Sequence, residues 1–200
     1  MSKMSKAIAV LGVVAGLGVA ALPLSSYAAD ADGVMPQSEN VTVQAEVGGS
    51  ISLEIAGETG SNFNADTNTL DLGKIIVGAA DPITGAIKAT VSTNETLNYA
   101  LTIRTATTET AMKNANGNSI PAGDPKGTTS AWGYSTDSGT TFKPVPATAT
   151  SLLATNPGSL NGTGETAATA DTTITFGVKA DSNQAPGVYS NQVVITASVK

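Results

Sequence analysis

Apolar and polar residues alternate with a period of two along much of the chain, which is the spacing of a half-buried β-strand. The pattern is clearest in six segments, at residues 41–47, 51–55, 87–91, 97–103, 174–180 and 193–199. Residues that form turns separate these segments, and only a weak helical stripe, near residues 147–153, follows Pro23. The sequence therefore predicts an all-β fold, an antiparallel β-sandwich of six or seven short strands.

Two of the predicted strands have irregular features. Residues 41–47 and 51–55 flank Gly48-Gly49, so they form either a hairpin or one long strand that a bulge interrupts. The segment 70–78 is rich in apolar residues but alternates imperfectly. We interpret it as a further short strand with one irregular position.

Two stretches lack the alternation and are predicted to be long loops, at about residues 105–139 and 148–171. Loops of this length are uncommon unless they hold structure or function of their own. The single Trp of the chain, Trp132, lies in the first stretch, two residues before Tyr134. We interpret this pair as a strand that returns to the core. The alternative is an aromatic platform for sugar rings, and core packing is favoured because aromatic rings dominate core burial.

The first 28 residues have the pattern of a secretory signal peptide. Lys3 and Lys6 precede a run of 16 apolar and Gly residues, and small residues predict cleavage between Ala28 and Ala29. A retained membrane anchor is the alternative, but a spanning helix needs about 20 apolar residues. The predicted organisation is a cleavable signal peptide at 1–28, a flexible leader at 29–40 and a single β-sandwich domain at 41–200.

The composition excludes several kinds of chemistry. The chain has no His and no Cys, so it cannot form a Ser-His-Asp triad, a thiol nucleophile, a disulfide or a zinc-thiolate site. Loss of the first 28 residues removes two Lys and no acid, which leaves 8 basic and 16 acidic side chains and a net charge of −8. This balance disfavours binding to nucleic acid and, after signal removal, to anionic membranes.

Carboxylates are the remaining candidates for catalysis and metal binding. The segment from Asp66 to Asp71 resembles the start of a calcium loop, but Leu70 stands at a ligand position and no Glu closes the loop. We interpret these side chains as caps of their own turn. No short motif isolates the pair of acids that glycoside hydrolysis requires. The sequence therefore predicts no catalytic residue, no metal site and no cofactor, and the protein is not expected to be an enzyme.

The segment 185–196 carries the most specific motif. It reads Ala-Pro-Gly-Val-Tyr-Ser-Asn-Gln-Val-Val-Ile-Thr and resembles the closing strand of many secreted bacterial Ig-like sandwich proteins, including fimbrial and spore-coat-like subunits. Gly187 and Tyr189 are placed as in a tyrosine corner, in which the hydroxyl bonds to backbone upstream. Residues 70–103 look more loosely like WxL-type wall proteins, although Tyr99-Ala-Leu stands where the first Trp-x-Leu would be.

These resemblances imply a bacterial protein that is secreted to the extracellular cell surface and has a structural or adhesive role. Its partner would be a second copy of the chain, by strand addition at an open sheet edge, or a cell-wall glycan or peptidoglycan bound by Trp132 and Tyr134. The leader 29–40 is a poor donor strand because Pro36 cannot donate to a ladder. The alternative to strand addition is a closed monomer with a disordered leader.

Overall fold

The computed structural model describes residues 50–155, 157–163 and 167–200. Strands and turns account for this part of the chain, which contains no helix that could cross a membrane. The predicted all-β, antiparallel fold is confirmed. The predicted signal peptide with its cleavage between Ala28 and Ala29, the leader and the alternating segment 41–47 lie outside the described residues.

The larger sheet has five antiparallel strands in the order β1-β4-β12-β8-β9. Its two central strands pair along eleven residues, because both keep the period-two pattern over their whole paired length. The strands are β1 (Ile51–Gly57), β4 (Ile83–Thr93), β12 (Ala168–Lys179), β8 (Ala131–Ser135) and β9 (Lys143–Pro144).

The second sheet is built around one strand, β5 (Thr96–Thr105). The strand β13 (Val193–Val199) pairs with one edge of β5, and two short strands, β10 (Thr150–Ser151) and β11 (Gly158–Asn161), share its other edge. Two small hairpins complete the described strands, and they consist of β2 (Asn62–Asn64) with β3 (Thr69–Asp71) and β6 (Met112–Lys113) with β7 (Ser119–Ile120).

The strand order is that of an Ig-like sandwich. In the larger sheet β1, β4, β12 and β8 take the places of strands A, B, E and D, while β5 and β13 take those of C and F. In a complete fold of this class a further strand, G, pairs with the outer edge of F. No strand among the described residues pairs with that edge of β13.

The core lies between the two sheets and follows the alternation read from the sequence. Ala89 and Val91 of β4 and Leu101 and Ile103 of β5 are completely buried, while their chain neighbours Thr90 and Thr102 are more exposed. Side chains at every second position point to the same face of a strand, so each sheet offers one apolar face to the other.

The stretches 105–139 and 148–171 differ from long open loops. The first contains β6, β7 and β8 and includes the fully buried Ile120, and the second contains β10, β11 and the start of β12. The interpretation of Trp132 and Tyr134 as a strand that returns to the core is confirmed, since both lie on β8.

The strand prediction for 70–78 is wrong beyond Asp71, because positive φ angles at Gly73 and Gly78 end the extended backbone.

Candidate functional site

The two aromatic residues singled out as ligand contacts lie inside the sandwich. Trp132 is 4% exposed and Tyr134 is 3% exposed, and burial raises the pKa of the Tyr134 hydroxyl. The indole Nε1–H of Trp132 donates to the carbonyl oxygen of Thr110 at 2.8 Å. An aromatic platform for sugar therefore has no exposed ring face at these two positions, and the rings fill the core instead.

Tyr189 has the hydrogen bond that a tyrosine corner requires. Its hydroxyl donates to the carbonyl oxygen of Ala185, four residues upstream, at 2.6 Å, and Gln184 Nε2 donates to the same hydroxyl at 2.7 Å. Gly187 has φ +148°, and a Cβ at this position would lie 2.7 Å from Asn114 Nδ2. The corner thus fixes the chain just before β13 begins.

The carboxylates of several turns are used within those turns. Asp71, Asp124 and Asp181 each accept the backbone N–H two residues downstream, at 2.8–2.9 Å. At the start of the segment that resembles a calcium loop, the backbone N–H of Asp66 donates to Oδ1 of Asn64, two residues upstream, at 2.9 Å. The described residues contain no group of three or more Asp or Glu side chains that could hold a metal ion. These acids stabilise local backbone and do not converge on a common point.

Asp137 has the most strongly altered carboxylate. The hydroxyl of Ser135 donates to Asp137 Oδ1 at 2.5 Å, and the backbone N–H of Thr141 donates to the same oxygen at 2.8 Å. These hydrogen bonds stabilise the charged form and lower the pKa of Asp137 from 3.8 to about 2. The carboxylate caps the turn after β8, so its negative charge stabilises the backbone of that turn.

A titration of the Asp137 carboxyl tests this arrangement. We expect a midpoint near pH 2 in an NMR titration of the folded protein, against 3.8 for an ordinary Asp. A lowered pKa means that the stabilising contribution is complete above pH 3.8 and disappears as the pH falls through 2. The Ser135→Ala variant should move the midpoint back toward 3.8. A wild-type midpoint near 3.8 would contradict the capping role.

The edges of β1 and β13 form the first candidate interaction surface, which we call the β1–β13 seam. The two strands belong to different sheets and contact each other at the side of the sandwich. Their inward side chains are only half buried, although those of the strands beside them are fully buried. The seam is lined by Ile51, Leu53, Ile55, Val193, Ile195 and Ala197. Core-facing apolar side chains are therefore reachable from solvent along this line.

Residues 73–82 form the second candidate surface, which we call the apolar loop. Ile76 is 70% exposed and Val77 is 53% exposed. Ile76 borders a shallow depression of about 230 Å³, and its lining combines apolar side chains with three charged ones: Ile75, Pro82, Val178, Lys74, Asp81 and Lys179. Isolated exposed apolar residues are ordinary, and the feature that distinguishes Ile76 and Val77 is that the two exposed side chains are adjacent.

Backbone and side-chain hydrogen bonds hold the apolar loop against the end of β12. The N–H of Gly78 donates to the carbonyl oxygen of Ala180 at 2.8 Å. Lys179 Nζ donates to the carbonyl oxygens of Ala80 and Gly127 at 2.8 and 2.9 Å. The loop backbone is consequently held in place, with Ile76 and Val77 exposed and Ile75 packed against the core. The sequence analysis missed this surface, although two glycines five residues apart around Lys-Ile-Ile-Val were a usable signal of a loop.

No protein family model matches the chain, and no curated protein matches it. Among solved structures, the chain is similar to the CsuC–CsuE chaperone–tip adhesion subunit pre-assembly complex from the archaic chaperone-usher Csu pili of Acinetobacter baumannii. The identity is 15% and the TM-score is 0.31, over 74% of this chain and 39% of that chain. The chain therefore spans well under half of that chain, and a likeness at this level supports no conclusion about fold or function.

Proposed function

We propose that this protein is a non-catalytic, exported component of the bacterial cell surface with a structural or adhesive role. The signal-peptide pattern at 1–28 and the closing motif at 185–196 support export and surface location. The carboxylates of Asp71, Asp124 and Asp181 each accept a hydrogen bond within their own turn, and they do not converge on a cleft. The protein acts through contact between surfaces.

The observation that carries this proposal is the exposure of Ile76 and Val77 on a loop that is fixed in place. A contact element that is already ordered loses little conformational entropy on binding. Aliphatic side chains bury apolar area but offer neither hydrogen bonds nor ring faces to a sugar. The partner that fits the apolar loop is therefore a protein surface, including that of a second copy of this chain, and a glycan fits it less well.

Charge placed on the apolar loop tests the proposal. The mature chain, residues 29–200, is titrated onto cells that lack the protein, and its self-association is measured by light scattering. We expect saturable cell binding or self-association, weakened at least about tenfold in the Ile76→Asp/Val77→Asp variant because each Asp must lose its hydration at the interface. Both positions are solvent-exposed, so the fold should persist.

The matched control is Val188→Asp, since Val188 is 87% exposed and lies on a different loop. It adds the same kind of charge to an exposed aliphatic position and should leave binding unchanged. Equal losses in the two variants would indicate that net charge alone weakens the contact. Absence of both cell binding and self-association in the wild-type chain would overturn the proposed role.

A further inference from the structure

The apolar loop reverses its direction at its two most exposed side chains. The backbone N–H of Ala79 donates to the carbonyl oxygen of Ile76 at 3.2 Å, which closes a four-residue β-turn. Gly78 is the third residue of this turn, and its φ of +73° is the kind of angle that a type II turn needs at that position. Ile76 and Val77 therefore lie where the chain reverses, and both are exposed.

Opposite charges lie on the two arms of this turn. Lys74 is two residues before Ile76, and Asp81 is two residues after Ala79. Both side chains line the depression that Ile76 borders, and both residues are exposed. Neither belongs to an ion pair within the part of the chain that the structure describes. The loop therefore combines an apolar centre with one cation and one anion that can pair with groups of a partner.

The third charge of the depression already has partners within the fold. Lys179 Nζ donates to the carbonyl oxygens of Ala80 and Gly127, which leaves Lys74 and Asp81 as the charges that a partner would meet. A uniformly acidic or uniformly basic partner would be attracted by one of them and repelled by the other. The complementary surface is an aliphatic centre that carries an acid on one side and a base on the other.

A second copy of this chain offers that surface through the same loop. A two-fold axis that passes between Lys74 and Asp81 brings Lys74 of each copy opposite Asp81 of the other copy. The exposed pair, Ile76 and Val77, then packs on the same pair of the second copy. Such a contact is isologous, because one surface patch serves both sides of the interface.

We propose that the apolar loop is a self-association surface, on which Ile76 and Val77 form the centre of a two-fold dimer contact and two Lys74–Asp81 ion pairs flank it. The inference rests on the proposed contact role of this loop and names a second copy as its occupant. A contact limited to one loop is smaller than the roughly 1,200 Å² that stable interfaces bury, so the dimer is weak. The exposed ion pairs contribute more to the choice of partner than to affinity.

Exchange of the two charges tests this contact, with the dimerisation constant measured by analytical ultracentrifugation. We expect Lys74→Glu and Asp81→Lys each to weaken dimerisation at least about fivefold, because each variant places like charges opposite one another twice in the dimer. The Lys74→Glu/Asp81→Lys double variant should return to within about twofold of the wild type, since opposite charges face each other again. An equimolar mixture of the two single variants should form a heterodimer more tightly than either variant dimerises alone.

The matched control is Lys143→Glu, because Lys143 is exposed on β9 and does not line the depression. It changes the net charge as Lys74→Glu does and should alter dimerisation less than about twofold. A double variant as weak as the single variants would overturn the proposal, and so would a wild-type protein that stays monomeric. Cell binding is measured separately with the same proteins. Cell binding that requires Ile76 and Val77 in a protein that stays monomeric would keep the proposed function and overturn only the dimer.

Discussion

Replacing Trp132 by Ala should lower the free energy of unfolding by about 3–5 kcal/mol, the usual cost of removing a buried Trp side chain. The residue is 4% exposed and lies on β8 opposite Val178 of β12, so the surrounding strands cannot collapse fully into the space that is left. The carbonyl oxygen of Thr110 also loses its indole donor. Urea unfolding, followed by circular dichroism, measures the change.

The matched variant is Trp132→Phe, which keeps an aromatic ring but lacks the indole N–H. Its cost should be clearly smaller than that of the Ala variant, because most of the ring volume stays filled. Wild-type stability for Trp132→Ala, combined with loss of a glycan-binding activity, would restore the platform interpretation. Loss of stability in parallel with any loss of binding agrees with a core role.

Gly133→Ala should destabilise the fold by about 3 kcal/mol or more, at or above the upper end of the usual cost of overpacking. A Cβ on Gly133 would lie 2.4 Å from the carbonyl oxygens of both Gly123 and Lys143. Both are backbone atoms, so relief requires two chain segments to move apart. Differential scanning calorimetry should show a large fall in the midpoint of unfolding, or failure to recover folded protein.

Gly123→Ala is the control for this variant. A Cβ on Gly123 meets only the Ala131 Cβ, at 3.4 Å, which is an ordinary contact. We expect a change below about 1 kcal/mol, since a Gly→Ala change at a compatible position acts mainly through the unfolded chain. If Gly123→Ala destabilised the fold as much as Gly133→Ala does, the cause would be the loss of a glycine anywhere in this region and not the close backbone approach at Gly133.

The tyrosine corner shows what a local motif can predict. Its acceptor, the Ala185 carbonyl, is four residues from Tyr189, so Pro-Gly and a following Tyr carry nearly all the information that is needed. Trp132 is different, because its donor finds Thr110, 22 residues away, and its neighbours come from β12. Sequence alone left the two interpretations of that ring open for this reason.

The apolar loop was the clearest failure of the sequence analysis. The run Ile75-Ile76-Val77 suggests a strand by composition, since β-branched residues favour extended backbone. The flanking Gly73 and Gly78 adopt positive φ angles, and the hydrogen bond from Gly78 to Ala180 holds the backbone against another strand. That partner is about a hundred residues away in the chain, so no local pattern reports it.

The sequence by itself determined that the long alternating segments of the described core are strands and which of their side chains point inward, because successive residues of a strand face opposite sides whatever the strand packs against. Only the tertiary structure decided how deeply each inward residue is buried. Val91 and Leu53 lie opposite each other in neighbouring strands. The second sheet covers Val91 completely, whereas Leu53 lies at the edge of that sheet and is only half buried. Burial depends on how far the opposite sheet extends, and that extent is set by pairing between segments distant in the chain.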